Sequence, residues 1–581
     1  MSPAALLRPA LLALALALAG CAGTKPYTTG PVKTFDPDDR SIPEPESVRG
    51  NEFWDPIDRT FFYQVEKPLN LNWTLRRLGQ ALRLVGPKEA ENVNTLDEVP
   101  ESSWFTQRHF YFPMTREELQ RGPDVTDGPD PSGPWTIIEG KNEGKTKGFT
   151  IEDPTGQRYV MKFDGPDFPE LTSSAEVIAT KVYYAAGYHV PQNTVVYFDP
   201  ALLVLGPDAE VEVEGRERPM TEQDLAEIVG PQPRRADGTI RAMASRYVDG
   251  LPVGPWSFRG TRPDDPNDRV HHEHRRELRG LSVLGSWLND ADRRDANTLA
   301  VYATDVRAPG DTARYVRHYL LDMGSTLGAN AAGSHQVRHG QEYMFDPRTI
   351  AAQFVTLGLR TKPYEFQPLV AFYPSVGYFT AMYFEPKDWV MVHPNPAYEH
   401  RTDRDGFWGA KRVMAFSEAD VRALVETGRL TDPDAEEYLV QTLLARRDEI
   451  GRYWFGRVNP LDRFAVTDVT PTASLTGGAA ALRLTFDDLA VEGGLEHAEA
   501  SRYAYRVTHG RTELASGTAA DPALSLPPLP DAARASSDAD DHILRVEIRT
   551  LRDGQEPSPR TDVYLHLPPG GEPRVVGIDR K

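Results

Sequence analysis

The chain has 581 residues, enough for two or three domains, and 40% of them are hydrophobic, as in proteins that bury an apolar core. Its 65 Lys and Arg against 85 Asp and Glu give a formal net charge of −20, which argues against nucleic acid or an anionic membrane surface as the main partner. The single cysteine excludes disulfide frameworks and metal sites built from several thiolates.

The first 21 residues have the composition of a leader peptide. Arg8 supplies positive charge, and the apolar run over residues 11–19 is too short to span a bilayer as a helix. The run leads to Leu-Ala-Gly before Cys21, which resembles the lipobox of bacterial lipoproteins. That resemblance implies a lipid on Cys21 and a protein anchored in the cell envelope; Ala22 weakly favours the outer membrane. A plain signal peptide with an incidental cysteine is the alternative.

Residues 22–50 are rich in Pro, Asp, Thr and Glu, which predicts a flexible tether between the lipid and the fold. Residues 51–134 form an N-terminal extension without recognisable chemistry, and a helix is predicted in it over residues 75–84. The extension ends in a loop crowded with Pro, Gly and Asp at residues 121–134.

Three strands separated by turn residues are predicted from Trp135 onwards. Gly140, Gly144 and Gly148 lie around the first turn, where the backbone amides of glycines can approach phosphate groups. A plain hairpin explains these glycines equally well, because their spacing is not the usual G-x-G-x-x-G. Lys162 lies in the third strand, where a lone lysine normally faces solvent.

A helix is predicted over residues 173–187, since apolar residues recur on one face and Gly187 is a suitable C-terminal stop. Glu176 in this helix has two interpretations. It can pair with Lys162, or it can form an S-x-x-E capping box with Ser173. Residues 199–240 then have the acidic, loop-rich composition of an insert.

The histidines at 271, 272 and 274 suggest a metal site, but no further ligand pattern accompanies them. We therefore predict exposed histidines at the start of a helix, with the charged residues 273–279 on a solvated or salt-bridged face. Leucines at three- and four-residue spacing form the apolar face of this helix, and Asn289 ends it.

A polar loop follows, with Asp292 and Asn297 five positions apart, and a later apolar strand ends at Asp322-Met-Gly. Phosphoryl transfer needs a carboxylate near the attacking hydroxyl and oxygen ligands for a Mg²⁺ ion that bridges the phosphates. Asp292 and Asn297 at the two ends of a tight loop, with Asp322 on the next strand, meet these needs. A helix-capping loop and an ordinary Asp-x-Gly turn would explain either half alone.

In the rest of the chain, the sequence predicts secondary structure but no functional site. Helices are predicted over residues 417–428 and 433–455, with Ser417 and Asp432 as N-caps. After residue 460, hydrophobic residues alternate with polar ones in four runs separated by Gly, Pro and Asp. This pattern predicts an all-β sandwich, fibronectin- or immunoglobulin-like, over residues 461–581.

Residues 135–455 resemble the protein-kinase-like superfamily. The resemblance rests on five polar residues, which occur along the chain in the order Lys162, Glu176, Asp292, Asn297 and Asp322. The nearest branches are atypical: HipA-like, CotH-like and phosphatidylinositol-kinase-like proteins. The loop is similar to the D-R-H-x-x-N loop of lipid kinases, with Arg294 in place of His, and DMG replaces DFG. The resemblance implies an α+β, two-lobed fold, with a small lobe and hinge over residues 135–250 and a helical large lobe over 251–458.

The resemblance also implies the cofactors, ATP and Mg²⁺, and a role for each residue. Asp292 would be the catalytic base or orient the substrate, and Asn297 and Asp322 would hold Mg²⁺. Lys162 would contact the phosphates, and Glu176 would orient Lys162. At the hinge, the backbone at Tyr247 and Val248 would read the edge of the adenine, although any strand leaving for a turn looks similar.

Three functions follow from these expectations. The first is an ATP-dependent phosphotransferase acting on a protein or small molecule of the cell envelope. The second is a lipid-anchored pseudokinase that binds nucleotide or a partner protein without reacting. The third is a structural envelope protein whose kinase-like fold is a relic. ATP is scarce outside the inner membrane, which weighs against the first, whereas five intact polar positions favour it.

Overall fold

A computed structural model describes residues 25–48, 60, 63, 64, 66, 86–141, 147–213, 216–331, 333–357, 359, 364, 373–469 and 481–581. The described chain mixes α-helices with several β-sheets. The predicted leader, Cys21, the helix over residues 75–84 and Gly144 lie outside the described residues. Within the described ranges, none of the helices is both long and apolar enough to cross a bilayer.

Residues 25–48, predicted to belong to a flexible tether, instead lie bound along the fold. Their backbone amides donate to carbonyls in distant parts of the chain: Thr28 to Val576, Asp36 to Glu101, Ile42 to Arg314 and Val48 to Val253. Asp38 is buried and accepts hydrogen bonds from Ser103 N and Oγ at 3.0 and 2.8 Å. The composition is that of a tether, but these side chains and amides find partners that local sequence does not reveal.

A seven-stranded sheet begins at Trp135, and its spatial order is β4-β7-β3-β2-β1-β5-β6. Its strands are β1 Trp135–Lys141, β2 Gly148–Glu152, β3 Arg158–Lys162, β4 Asn193–Phe198, β5 Leu203–Val213, β6 Arg216–Pro219 and β7 Ile240–Arg246. Neighbouring strands are antiparallel except β1 and β5, which are parallel. The predicted insert supplies β5 and β6 and therefore extends this sheet.

Between residues 86 and 250, the described part of the chain contains three α-helices: α1 Arg116–Arg121, α2 Leu171–Ala186 and α3 Glu222–Val229. Helix α2 begins two residues before Ser173, so Ser173 and Glu176 do not form the capping box. Ser173 donates instead to Asp164, from its amide at 2.8 Å and its hydroxyl at 2.7 Å. Gly187 ends α2 with φ of 119°, a left-handed conformation that glycine adopts without strain.

The described residues of the next region, 251–460, combine two small sheets with six α-helices. The strands are β8 Leu251–Gly254, β9 Thr298–Ala308, β10 Asp311–Leu320, β11 Ala329–Asn330 and β12 Gly333–Ser334. The helices are α4 Arg276–Leu288, α5 Pro347–Val355, α6 Pro396–Glu399, α7 Asp403–Met414, α8 Glu418–Glu426 and α9 Pro433–Phe455. Ser417 and Asp432 are the N-caps of α8 and α9, as predicted.

Helix α4 is buried on every side, so of the two predicted alternatives its charged residues form the salt-bridged face and not the solvated one. The guanidinium group of Arg276 lies 2.5 Å from Asp97 and 3.1 Å from Asp405, and Arg279 lies 3.1 Å from Asp405. Buried charges are tolerated when they are paired and hydrogen-bonded. The partners come from remote segments, so the sequence around α4 alone could not decide between a solvated and a salt-bridged face.

Two of the three histidines before α4 are also buried, although we predicted exposed side chains. His272 Nε2 lies 2.7 Å from Asp268 Oδ2, and His274 Nδ1 lies 2.8 Å from Arg279 Nη2. Only His271 of the three is exposed. Residues His272–His274 form a single 3₁₀ turn with His271 as its N-cap, and α4 itself begins at Arg276.

The C-terminal block begins at Leu461 and contains two antiparallel sheets, ordered β13-β14-β17 and β16-β15-β18-β19-β20. Its strands are β13 Leu461–Val469, β14 Ala481–Asp488, β15 Ser501–His509, β16 Thr512–Ala519, β17 Ala523–Leu526, β18 Ile543–Arg552, β19 Thr561–His566 and β20 Arg574–Arg580. Two short helices join them, α10 Leu489–Glu492 and α11 Asp531–Arg534. Apolar side chains of both sheets share one core, which includes Leu484, Val507, Val546 and Leu565.

Candidate functional site

A cleft of about 640 Å³ separates the seven-stranded sheet from the loops that follow α4 and β10. Its volume is within the range of small-molecule and cofactor sites, roughly 300–1,000 Å³. The sheet and α2 contribute Gly140, Gly148, Lys162, Glu176 and Tyr247 to its wall. The loops on the other side contribute Asp292, Arg294, Asp322, Arg338 and His393.

Lys162 is the centre of an ion-pair cluster at this cleft. Its Nζ donates to Glu176 Oε1 at 2.9 Å and Oε2 at 3.2 Å, and to Asp322 Oδ1 at 3.3 Å. The three side chains come from the end of β3, the middle of α2 and the turn after β10. The side chain of Glu176 is only 3% exposed, so it belongs to the interior and not to a helix cap.

The charges of this cluster stabilise one another. Burial alone would lower the pKa of Lys162, but the carboxylates of Asp322 and Glu176 outweigh it and raise the pKa. Burial raises the pKa of Glu176, and the charge of Lys162 opposes that shift. The charge of Lys162 lowers the pKa of Asp322. The ammonium group is therefore retained at neutral pH, and Asp322 is held in its anionic form.

Asp322 is presented to the cleft by an unusual backbone conformation. Its φ is 51°, in the left-handed region that Asp tolerates better than most residues. Met323 is fully buried next to it, and the amide of Gly324 lies 3.4 Å from Asp322 Oδ1. A Cβ at Gly324 would lie 3.3 Å from Glu176 Oε2, so a larger residue would press on the cluster. The Asp322 side chain stays 53% exposed and accessible to a ligand.

Asp292 lies in the loop after α4, with its side chain 28% exposed at the cleft. Asn297 Nδ2 donates to the backbone oxygen of Asp292 at 2.5 Å and lies 3.4 Å from its Oδ2. Arg294 Nε lies 3.2 Å from Asp292 Oδ1. Burial raises the pKa of Asp292 to about 6, although the charge of Arg294 opposes the shift. The predicted five-residue spacing thus closes a tight loop with the carboxylate facing the cleft.

Asp290 and Arg293 fix this loop, and sequence reasoning assigned neither of them a part in the site. Asp290 is buried and accepts hydrogen bonds from the Tyr183 hydroxyl at 2.6 Å and Arg293 Nε at 2.9 Å. Arg293 Nη1 also donates to the backbone oxygens of Asn297 and Leu321, at 3.1 and 2.5 Å. One buried guanidinium therefore connects the Asp292 loop with the strand end that leads to Asp322.

His393 was also missed, and it lies beside Asp292. Its Nε2 is 3.9 Å from Asp292 Oδ1, and its Nδ1 is 2.7 Å from Thr60 Oγ1. Burial lowers the pKa of His393 to about 4, and the charge of Arg294 adds to this effect, so the ring is neutral at pH 7. No local motif marks this histidine, because its segment reaches the loop through a backbone contact, from Val392 N to Ala291 O at 3.0 Å.

For the remaining predicted site residues, their positions give weaker support for a role in the cleft. Gly140 and Gly148 line the cleft at the ends of β1 and β2, which pair as a hairpin. A Cβ at Gly148 would lie 2.2 Å from the Met161 carbonyl oxygen, so strand packing by itself requires glycine there. Tyr247 follows β7 and lines the cleft, whereas Val248 is half-buried and is not part of the described lining.

The donor atoms suit a metal ion that is shared with a ligand. Within the described part of the chain, no group of three or more His, Cys, Asp or Glu side chains is placed to hold a metal by itself. Mg²⁺ in nucleotide sites is instead bound by one or two carboxylates together with substrate phosphates. Asp322 provides such a carboxylate, whereas Asn297 is buried, is not part of the described lining of the cleft, and has its Nδ2 engaged by Asp292.

Comparisons were made with protein-family profiles, curated proteins and solved structures. None of the three found a match to this chain.

Proposed function

We propose that this chain is a lipid-anchored, atypical kinase-like phosphotransferase of the cell envelope. It uses Mg-ATP, and its acceptor is a protein or small molecule. In this proposal the seven-stranded sheet and α2 form the small lobe, and residues 251–458 form the large lobe. The C-terminal sheets form a β-sandwich. Cys21 carries the lipid, as its lipobox-like context suggests.

One observation carries the proposal. Lys162 lies within 3.3 Å of both Glu176 and Asp322, and all three line the cleft that Asp292 faces from the opposite loop. These residues are up to 160 positions apart in the chain, and each comes from a different element. Separate surface caps have no reason to converge in this way, whereas phosphoryl transfer needs these groups around one point.

Each group has a role that its surroundings support. Asp322 and Asn297 would hold Mg²⁺, which neutralises phosphate charge during transfer. Lys162, kept cationic by its two carboxylates, would contact the phosphates. The γ-phosphoryl group passes from ATP to an acceptor hydroxyl, the hydroxyl proton goes to Asp292, and ADP leaves. Since its pKa is about 6, Asp292 is largely ionised at pH 7 and ready to accept that proton.

A pseudokinase is the second candidate, and one contact favours it. Arg294 Nε lies 3.2 Å from Asp292 Oδ1, so the carboxylate that would accept the proton already has a cationic partner. An engaged Asp292 would leave nucleotide binding intact and suppress transfer. The two candidates thus agree on binding and differ only on turnover.

Two substitutions in the full-length protein separate these possibilities. Asp322→Asn should abolish Mg²⁺-dependent nucleotide binding, measured by titration calorimetry. Asp292→Asn should leave binding intact and lower turnover by roughly a hundredfold or more. Asp311→Asn, at the exposed start of β10, is the matched control and should change neither quantity. Wild-type binding without turnover would favour the pseudokinase, and absence of nucleotide binding would refute both.

A further inference from the structure

The segment that starts at Lys25 lies against β19 and β20 of the C-terminal block. The Tyr27 ring centroid is 5.2 Å from that of Tyr564, and Thr28 N donates to Val576 O at 3.2 Å. A Cβ at Gly577 would lie 2.3 Å from a backbone oxygen of this segment, so glycine permits the close approach.

The reach of any lipid on Cys21 is therefore short. Lys25, which pairs with Asp540, is only four positions after Cys21. A fully extended chain spans at most about 3.6 Å per residue, so four residues reach about 14 Å. A lipid at Cys21 would thus hold this end of β19 and β20 close to the bilayer surface.

The cleft lies at the other end of a connected path through the molecule. Strand β20 runs about 20 Å from Arg574, which lies beside the segment that starts at Lys25, to Arg580. Arg580 Nε is 3.1 Å from Asp97 Oδ2, and Arg276 Nη1 is 2.5 Å from Asp97 Oδ1. Helix α4 starts at Arg276 and runs about 20 Å to the Asp292 loop. Asp97 is thus the junction between the anchored strand and the helix that carries the site.

This junction is a network of buried charges and not a flexible linker. Arg580 Nη2 also lies 3.0 Å from Asp462 Oδ2, which lies 2.9 Å from Lys411 Nζ on α7. All of these side chains are buried. Removing one partner of a buried ion pair is strongly destabilising, so the C-terminal block and the helical region should move as one body.

We propose that the β19–β20 end of the C-terminal block faces the bilayer and that the cleft is held away from it. The bilayer carrying the anchor is then the partner of this end, and the acceptor reaches the cleft from the aqueous side. This inference rests on the proposed lipid anchor, and it is independent of whether the cleft catalyses transfer.

Energy transfer to the membrane tests this orientation. Because Cys21 is the only cysteine, Glu572→Cys and Gln336→Cys each add one labelling site, in the exposed turn before β20 and at the cleft rim. The full-length lipoproteins, each with a donor dye, are inserted into phosphatidylcholine vesicles that contain a rhodamine-labelled lipid. We expect at least threefold stronger transfer at position 572 than at position 336. Equal transfer, or stronger transfer at position 336, overturns the proposal.

A linker insertion provides the second measurement. Twenty Gly and Ser residues inserted after Gly23 span about 25 Å as a flexible coil and should reduce transfer at position 572 without releasing the protein. Unchanged energy transfer at position 572 would also contradict the proposal that this end of the C-terminal block faces the bilayer. Mass spectrometry of the purified protein reports the lipid separately. If no lipid is present the orientation fails, whereas nucleotide binding and turnover at the cleft remain a separate test of the proposed phosphotransferase.

Discussion

Replacing Glu176 with Gln tests how far the Lys162 cluster organises the cleft. The substitution keeps the size of the side chain and one hydrogen-bond acceptor for Lys162 Nζ, now 2.9 Å from Oε1, but removes the negative charge. Lys162 then has Asp322 as its remaining anionic partner in the cluster, at 3.3 Å. Under the proposed function, a lysine that moves towards Asp322 would be withdrawn from the phosphates and would compete with Mg²⁺ for the carboxylate.

The size of the effect follows from the contacts. A hydrogen bond to a charged group contributes about 1.5–3 kcal/mol and a neutral one about 0.5–1.5 kcal/mol, so the loss is about 1–1.5 kcal/mol. That corresponds to roughly 5- to 12-fold weaker binding of Mg-ATP. Glu139→Gln is the matched control, because Glu139 lines the same cleft but is exposed on β1 and has no described contact with Lys162.

Titration calorimetry with Mg-ATP measures the dissociation constant for wild type, Glu176→Gln and Glu139→Gln. Thermal unfolding of each protein shows whether the buried substitution has disturbed the fold. If Glu176→Gln is folded and its affinity changes as little as that of Glu139→Gln, then the cluster does not position Lys162 for the proposed contact with the phosphates. The role assigned to Glu176 would be wrong in that case.

Three further predictions concern stability, the second contact of Asp292 and the anchor. Asp97→Asn should lower the free energy of unfolding, measured in denaturant titrations, by about 3–5 kcal/mol. The control is Asp403→Asn, which removes an exposed pair with Arg457 and should lower the free energy of unfolding by less than about 1 kcal/mol. Burial alone would raise the pKa of Asp97, but three guanidinium groups outweigh burial and lower the pKa. The stabilisation that the Asp97 carboxylate provides is therefore complete above its pKa in the unfolded chain, about 3.9, and is lost as the pH falls below that value. His393→Gln should lower kcat roughly tenfold at unchanged nucleotide affinity, and an equal fall in affinity would contradict a role confined to Asp292. Cys21→Ser should move the protein from the membrane to the soluble fraction, and a variant that still floats with membranes has another anchor.

Local patterns predicted the elements that carry the site. The strand with Lys162, the helix with Glu176 and the helix ending at Asn289 all lie within two or three residues of their predicted positions. Alternation and apolar periodicity are properties of neighbouring residues, so they survive in any tertiary environment. The hydrogen bond from Asn297 to Asp292 is likewise local, because it closes a loop of five residues.

The parts that sequence reasoning missed depend on distant partners. The arginines of α4 have the pattern of a solvated or salt-bridged face, and their buried pairs with the distant Asp97 and Asp405 decide between the two. His393 lies about a hundred positions from Asp292 and has no motif around it. The segment from residue 25 has the composition of a linker, yet its amides pair with strands hundreds of residues away. Such long-range pairings determine which charged residues are buried. Burial in turn determines whether a charged residue faces solvent or forms an internal ion pair.

These long-range contacts also bear on how the cleft could be regulated. Helix α2, which carries Glu176, is bound to the helical region at several points along its length. The Tyr183 hydroxyl donates to Asp290 at 2.6 Å, and Ser174 Oγ donates to the Gly428 carbonyl at 2.9 Å. Nearly every residue of α2 is buried, so swinging the helix outwards would expose apolar and polar groups together. The pair of Lys162 and Glu176 is therefore preorganised, and control by movement of α2 is disfavoured compared with control by access to the cleft.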